Sequence, residues 1–237
     1  IPQGVATLEI GPFASPTLTG PNVSYFDVLD AQQIQAECDR LGISRERVPE
    51  VIDFVSRDTE LSDISRKFDL VYSSHAIEHT PDVYAHLPSV PGLLNEAGLY
   101  SLAIPDKRYC FDHYKALSTV GDAINAYKEK RQDCSLSAWI DRYTHGTHND
   151  PARHWAGDHG PPPFQDNVSI IEVALREFES DTNASKMAPH FWFFTPDTFA
   201  EIVRTGAALG YTGLELREIY GTAQGTCEFF AVLERNN

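Results

Sequence analysis

Basic residues are scarce in this chain. Lys and Arg number 19 against 34 Asp and Glu, a formal charge of −15. Binding a nucleic-acid backbone takes a Lys/Arg surplus, so no nucleic-acid partner is expected. The local exception is a basic patch at Lys128, Lys130 and Arg131. Long apolar runs are missing too. None approaches the roughly 20 residues that cross a bilayer, and no membrane span is expected. No signal-peptide pattern is visible. The chain opens at Ile1, almost directly in a strand, and reads as a fragment whose preceding segment, with any targeting signal, is missing. Cysteine is limited to Cys38, Cys110, Cys134 and Cys227, widely spaced and without a C-x-x-C pair. These read as reduced thiols of a cytoplasmic protein.

What is present suits one α/β domain with an inserted subdomain: 237 residues, 42% hydrophobic. Strands are expected over Val5 to Ile10, Val23 to Val28, Val51 to Val55, Phe68 to Tyr72 and Gly98 to Ile104. Helices are expected from Gln32 to Leu41, stopped by Gly42, and from Val83 to Leu94, interrupted by Pro88 and Pro91. Alternating strands and helices mean parallel βαβ units. From Lys107 to Pro189 the apolar periodicity weakens and His, Asp, Pro and Trp accumulate, with a helix at Val168 to Phe178. An insertion of this length reads as a lid or substrate wall over the carboxyl edge of the sheet. Thr195 then caps a helix from Pro196 to about Leu209, and strands follow at Leu214 to Ile219 and Cys227 to Leu233. The expected division is therefore a core over 1–106, an inserted cap over 107–189 and a closing core segment over 190–237.

The most informative stretch is Phe68-Asp69-Leu70-Val71-Tyr72-Ser73-Ser74-His75-Ala76-Ile77-Glu78-His79-Thr80-Pro81-Asp82. It closely resembles the fourth-strand motif of class I S-adenosylmethionine (SAM) methyltransferases. Leu8-Glu9-Ile10-Gly11-Pro12-Phe13-Ala14-Ser15 resembles their first SAM-binding motif, h-[DE]-h-G-x-G-x-G, where h is apolar. Glu9 and Gly11 match; Phe13 and Ser15 stand where the second and third glycines usually lie. Losing those glycines counts more against NAD, whose pyrophosphate needs close backbone approach, than against SAM, which carries no phosphate.

The resemblance covers residues 5–105 and 190–235, and points to the small-molecule and glycan group known as methyltransferase type 11. It implies a three-layer α/β sandwich with a mostly parallel seven-stranded sheet ending in an antiparallel hairpin. It implies SAM as cofactor, held by Glu9, Gly11, Phe13, Asp27, Asp58, Ser73, Ser74 and His75. Asp27 would accept the ribose hydroxyls; Asp30 is the alternative, or else a helix N-cap. Asp58 would meet the adenine amino group, or else is a solvated loop residue. Glu78 is read as mainly structural.

Acceptor-side chemistry is expected beyond the fifth strand. Ile104-Pro105-Asp106-Lys107-Arg108-Tyr109-Cys110-Phe111-Asp112-His113 resembles a P-D-K-R-Y-x-F-D block of bacterial methyltransferases near glycan-assembly enzymes. Asp106, Tyr109, Asp112 and His113 all exchange protons or hydrogen bonds. Four of the nine histidines, His145, His148, His154 and His159, fall within fifteen residues that also hold Trp155. A substrate lid ranks first, a structural loop second and a metal site third, because no established ligand spacing is present. The expected function is O-methylation of a small polar acceptor such as a sugar hydroxyl. His113, His154 and His159 are the candidate bases, with Asp112 beside them. Asp106, Tyr109, His145, His148 and Trp155 are the expected substrate contacts. No metal ligand is assigned, and a divalent metal is the lesser alternative. Rival readings are a silent methyltransferase-like binding module and an NAD-dependent oxidoreductase. The aromatic run Phe191 to Phe194 reads as core, with His190 within reach of the pocket rim.

Overall fold

Short apolar runs bounded by caps and glycines build one mixed sheet. The computed structural model describes residues 4–56, 61, 63–163, 168–180 and 190–236. The strands are β1 (Thr7–Ile10), β2 (Val23–Asp27), β3 (Phe54–Val55), β4 (Phe68–Ser74), β5 (Leu94–Pro105), β6 (Leu214–Tyr220) and β7 (Glu228–Arg235). Their order is β3-β2-β1-β4-β5-β7-β6. The first five pair in parallel, and β7 runs antiparallel to both β5 and β6. This is the class I methyltransferase fold: a parallel, Rossmann-like sheet closed by an antiparallel hairpin.

At β1, in the parallel part of the sheet, both faces are buried, as in parallel sheets generally. All four residues of β1 are buried. Along β2 successive side chains point to opposite faces. Phe26 enters the large core with Leu8, Phe68, Tyr100, Phe199 and Phe229, whereas Tyr25 packs against the smaller cluster of Ala14, Ile34, Cys38 and Ile52.

Local capping chemistry sets the helix ends. Helix α1 (Ala31–Leu41) starts at a capping box, Asp30 accepting from the Gln33 amide and Gln33 returning to Asp30, and ends at Gly42 in the left-handed region. Asp30 is thus the N-cap. Helix α7 (Pro196–Ala208) carries the expected Thr195 cap and Pro196 in its first turn.

Three elements differ from expectation. The third strand shrinks to Phe54–Val55. The expected helix over Val83 to Leu94 is one α-turn, α2 (Val83–His86), followed by 3₁₀ turns at Leu87–Ser89 and Pro91–Leu93. Pro88 and Pro91 lack the amide a continuous helix needs, although Leu87 and Val90 before them keep helical φ and ψ. The fifth strand starts early, at Leu94.

The described part of the segment from 107 to 189 is more helical than its weak periodicity suggests. It holds α3 (Val120–Glu129), α4 (Leu136–Thr144), α5 (Pro151–Trp155) and α6 (Val168–Ser180). The first three are capped by Thr119, Ser135 and Asp150. Ala123, Ala126, Cys134, Trp139 and Ala174 join the same large core as the sheet. The Trp139 indole N–H donates to the Ala174 carbonyl at 3.0 Å, tying α4 to α6. Among the described residues no helix is long and apolar enough to cross a membrane.

Candidate functional site

The carboxyl ends of β1, β2 and β4 meet at one edge. Gly11 follows β1 with φ +70°, and a Cβ there would come within 3.3 Å of the Ala76 Cβ. The backbone needs this conformation and this approach, and glycine provides both. Phe13 also sits at positive φ, 41°, and its amide donates to Asp27 Oδ2 at 3.2 Å. The Leu29 amide donates to Asp27 Oδ1 at 3.1 Å. Burial raises the pKa of Asp27, and these amides oppose the rise. Glu9 is buried, and its two oxygens accept from the Thr17 and Leu18 amides at 2.8 Å each. Its carboxylate therefore folds the loop after β1. Asp58 lies outside the described residues.

Beyond β4 the chain turns sharply. Ser73 is buried and shares a hydrogen bond with the Tyr100 hydroxyl at 3.1 Å, while Ser74 is partly exposed. His75 adopts φ 49°, an uncommon conformation for a residue with a side chain. Its Nε2 lies 3.2 Å from Glu228 Oε1, and its Nδ1 3.7 Å from Glu78 Oε1. Burial works against its charged form, but the Glu228 hydrogen bond and the Glu78 carboxylate outweigh it and raise the pKa.

Glu78 is the unusual group. Its side chain is 0% exposed, and among the described residues neither carboxylate oxygen has a hydrogen-bond partner. Burial raises its pKa, with His190 and His75 opposing. The His190 Nε2 lies 3.8 Å from Glu78 Oε1, while its Nδ1 lies 2.6 Å from Asp112 Oδ2. The geometry suits an Nδ1–H that donates to Asp112 Oδ2 and an Nε2 that faces Glu78. Backbone bonds hold this array: the Phe191 amide donates to the Glu78 carbonyl, and the Trp192 indole to the Thr80 carbonyl. The Lys107 amide donates to the Phe194 carbonyl. A cavity of about 150 Å³ opens here, lined by His79, Phe111, Asp112, Lys115, Arg142, His190 and Phe193.

Asp106 is buried and fully engaged. It accepts from Arg108 through both oxygens and from the Thr222 hydroxyl at 2.6 Å, joining the end of β5 to the β6–β7 connection. Tyr109 and Trp155 stack face to face, centroids 3.9 Å apart and planes 5° apart. The Trp155 indole N–H donates to the Thr226 carbonyl.

The other histidines gather in a separate cluster. His113 stacks on His159 at 3.7 Å, and His154 Nδ1 lies 3.0 Å from His159 Nδ1. The Arg108 and His148 carbonyls take the other nitrogens of His113 and His154. His148 donates from Nε2 to the Asp158 carbonyl, and His145 lies against Thr144 and Asp141. Burial, ahead of mutual repulsion, lowers the pKa values of His113 and His154. Single ring nitrogens of His113, His154 and His159 lie within 4.8 Å of one another, as do ligand atoms of Glu78, His79 and His190. In the first group the His113 and His159 planes are 11° apart. Lone pairs of rings stacked in this way run nearly parallel instead of converging on one ion.

The structure thus brings the sequence candidates together in three groups: Gly11, Phe13 and Asp27; His113, His148, His154 and His159; Tyr109 and Trp155. Asp112 belongs elsewhere, with Glu78 and His190. The sequence reading gave Glu78 a structural part and left His190 at the rim. The Glu78-His79 pair and the approach of residue 190 to the capped helix were the available signals.

No protein-family model matches the chain, and no curated protein matches it. Similar solved structures include a candidate Zn-dependent alcohol dehydrogenase from Rhodobacter sphaeroides, at 13% identity over 99% of this chain and 85% of that one, TM-score 0.47. An S-adenosylmethionine-dependent methyltransferase from Clostridium acetobutylicum aligns at 10% identity over 98% of this chain and 84% of that one, TM-score 0.45. Mitomycin 7-O-methyltransferase MmcR aligns at 11% identity over 98% of this chain, TM-score 0.43. The present chain spans 50% of MmcR's length. The fold assignment rests on the strand order and not on these likenesses.

Proposed function

We propose that the chain is a SAM-dependent methyltransferase acting on an oxygen of a small polar acceptor, such as a sugar hydroxyl. The observation that carries this reading is the Asp112–His190 pair beside buried Glu78, at the end of the sheet where the Gly11 and Asp27 turns also lie. A cytoplasmic place and a part in bacterial glycan modification belong to the same proposal.

The residues present fit SAM. Gly11 leaves the backbone uncovered, and each Asp27 oxygen accepts one amide and keeps a lone pair for a ribose hydroxyl. Ser73, Ser74 and His75 would border the methionine end. Bound SAM supplies an electrophilic methyl on a sulfonium. The chain's own part is to align the acceptor, exclude water and take up a proton.

The reading assigns that proton to His190 Nε2. Asp112, buried and 2.6 Å from Nδ1, fixes the tautomer and stabilises the imidazolium that forms. His113, His154 and His159 would instead form the acceptor-side wall, with Tyr109 and Trp155 as an aromatic rim.

Calorimetry with SAM, its demethylated product and NAD tests the reading. Binding of the first two without NAD is expected. His190→Gln should then lower methyl transfer about 10²–10⁴-fold with SAM affinity retained. Binding of NAD without SAM would refute the reading.

A further inference from the structure

We propose that the cavity beside His190 is an anion subsite, in which Lys115 and Arg142 hold a carboxylate or phosphate group of the acceptor. The word acceptor rests on the methyltransferase reading; the anion site itself does not.

Lys115 is 7% exposed and lines the cavity. Its ammonium lies 5.5 Å from the centre of the Phe193 ring, and among the described residues it has neither an ion pair nor a hydrogen bond. Arg142 is exposed but lines the same cavity; its guanidinium lies 5.5 Å from the Trp139 ring centre and, among the described residues, likewise has no ion pair or hydrogen bond. Counter-ions are not scarce, since the chain has 34 acidic residues against 19 basic ones. A buried ammonium left unpaired is costly.

The nearby carboxylates are otherwise engaged. Asp112 is bound to His190, and Asp141 lies 3.4 Å from His145. Glu78 faces His75 and His190 and has no contact with either cation. Asp112 spends its short contact on His190, so among the described residues Lys115 and Arg142 border the cavity without a directly bonded carboxylate, and the cavity has room for one polyatomic anion. Arg presents a planar fork to oxyanions and Lys a point charge, a combination suited to carboxylate or phosphate. Burial pushes the Lys115 pKa down to about 8, with the Asp112 and Asp141 charges opposing.

The test uses the full chain, with inorganic phosphate and acetate as probes and potassium chloride holding ionic strength constant. Calorimetry and thermal melting are read for the native chain, Lys115→Met, Arg142→Gln and the charge-keeping Lys115→Arg. Binding of the demethylated product of SAM is measured in parallel on each. Saturable binding of at least one anion is expected, weakened about tenfold or more in Lys115→Met and Arg142→Gln and largely restored in Lys115→Arg. Preference for phosphate or for acetate identifies the group. Saturation by neither anion, or equal binding by native chain and both charge-removing variants, overturns the inference. If the SAM product binds and no anion does, the inference alone fails. If an anion binds and the SAM product does not, the methyltransferase reading fails and the anion site stands.

Discussion

Replacing Glu78 by Gln should make the protein more stable and less active, and the gain should depend on pH. Glu78 is 0% exposed, and among the described residues neither of its oxygens has a hydrogen-bond partner. Burial raises its pKa above the ordinary 4.5, with the His190 and His75 charges opposing and the Asp112 charge assisting. The folded state therefore holds this proton more tightly than the unfolded chain does. Stability from the group is complete below the unfolded value and declines as pH rises, by up to ~1.4 kcal/mol per pH unit, until the folded pKa is passed. Gln keeps the shape and does not ionise. The stability difference between the variant and the native chain should start near zero in acid and grow in the variant's favour. At neutral pH it should reach on the order of 1–3 kcal/mol, the scale for an unsatisfied buried group. In a domain of this size each kcal/mol moves Tm by roughly 2–4 °C. Denaturant unfolding of both proteins across the acidic to neutral range measures the difference, with methyl transfer assayed alongside. A difference that stays flat with pH, or a variant less stable at neutral pH, would refute the reasoning.

Asp27→Ala should weaken SAM binding by roughly 1.5–3 kcal/mol, the scale for hydrogen bonds to a charged group; calorimetry showing unchanged affinity removes Asp27 from the site. Gly206→Ala would put a Cβ 2.5 Å from the Tyr84 Cε1 and 2.7 Å from the Thr212 Cγ2. The overpacking should cost about 1–3 kcal/mol, exceeding the ~1 kcal/mol helix-propensity gain, and a raised Tm would contradict it. Phosphate affinity should fall as pH rises through about 8, where Lys115 loses its proton in the field of Asp112, Asp141, Arg142 and Cys134. Burial pushes the Cys134 thiol up to about 11, so it stays neutral there. Lys115→Arg should be insensitive over that range, which separates this effect from the titration of phosphate itself.

The elements of the sheet were legible in the sequence because their signals are local. Apolar runs at Thr7–Ile10 and Phe68–Ser74, the Asp30 and Thr195 caps and the stop at Gly42 all act over a few residues. The helices of the insertion were harder to see. Their caps are present, but much of their apolar surface is small, and Ala123, Ala126 and Ala174 disappear into a core whose larger members lie far away in sequence. The turn proposed for the cofactor was legible as a turn for the same local reason: Gly11 and Asp27 end neighbouring strands. The Asp112–His190 pair was not. His190 and Asp112 stand 78 positions apart and meet at 2.6 Å. They meet because the Phe191 amide reaches the Glu78 carbonyl and the Trp192 indole reaches the Thr80 carbonyl. The sequence by itself determined strand, turn and cap. Which imidazole faces which carboxylate, and which cations are left without a partner, was decided only by the tertiary structure, because ion pairing and desolvation depend on distance in space and not along the chain.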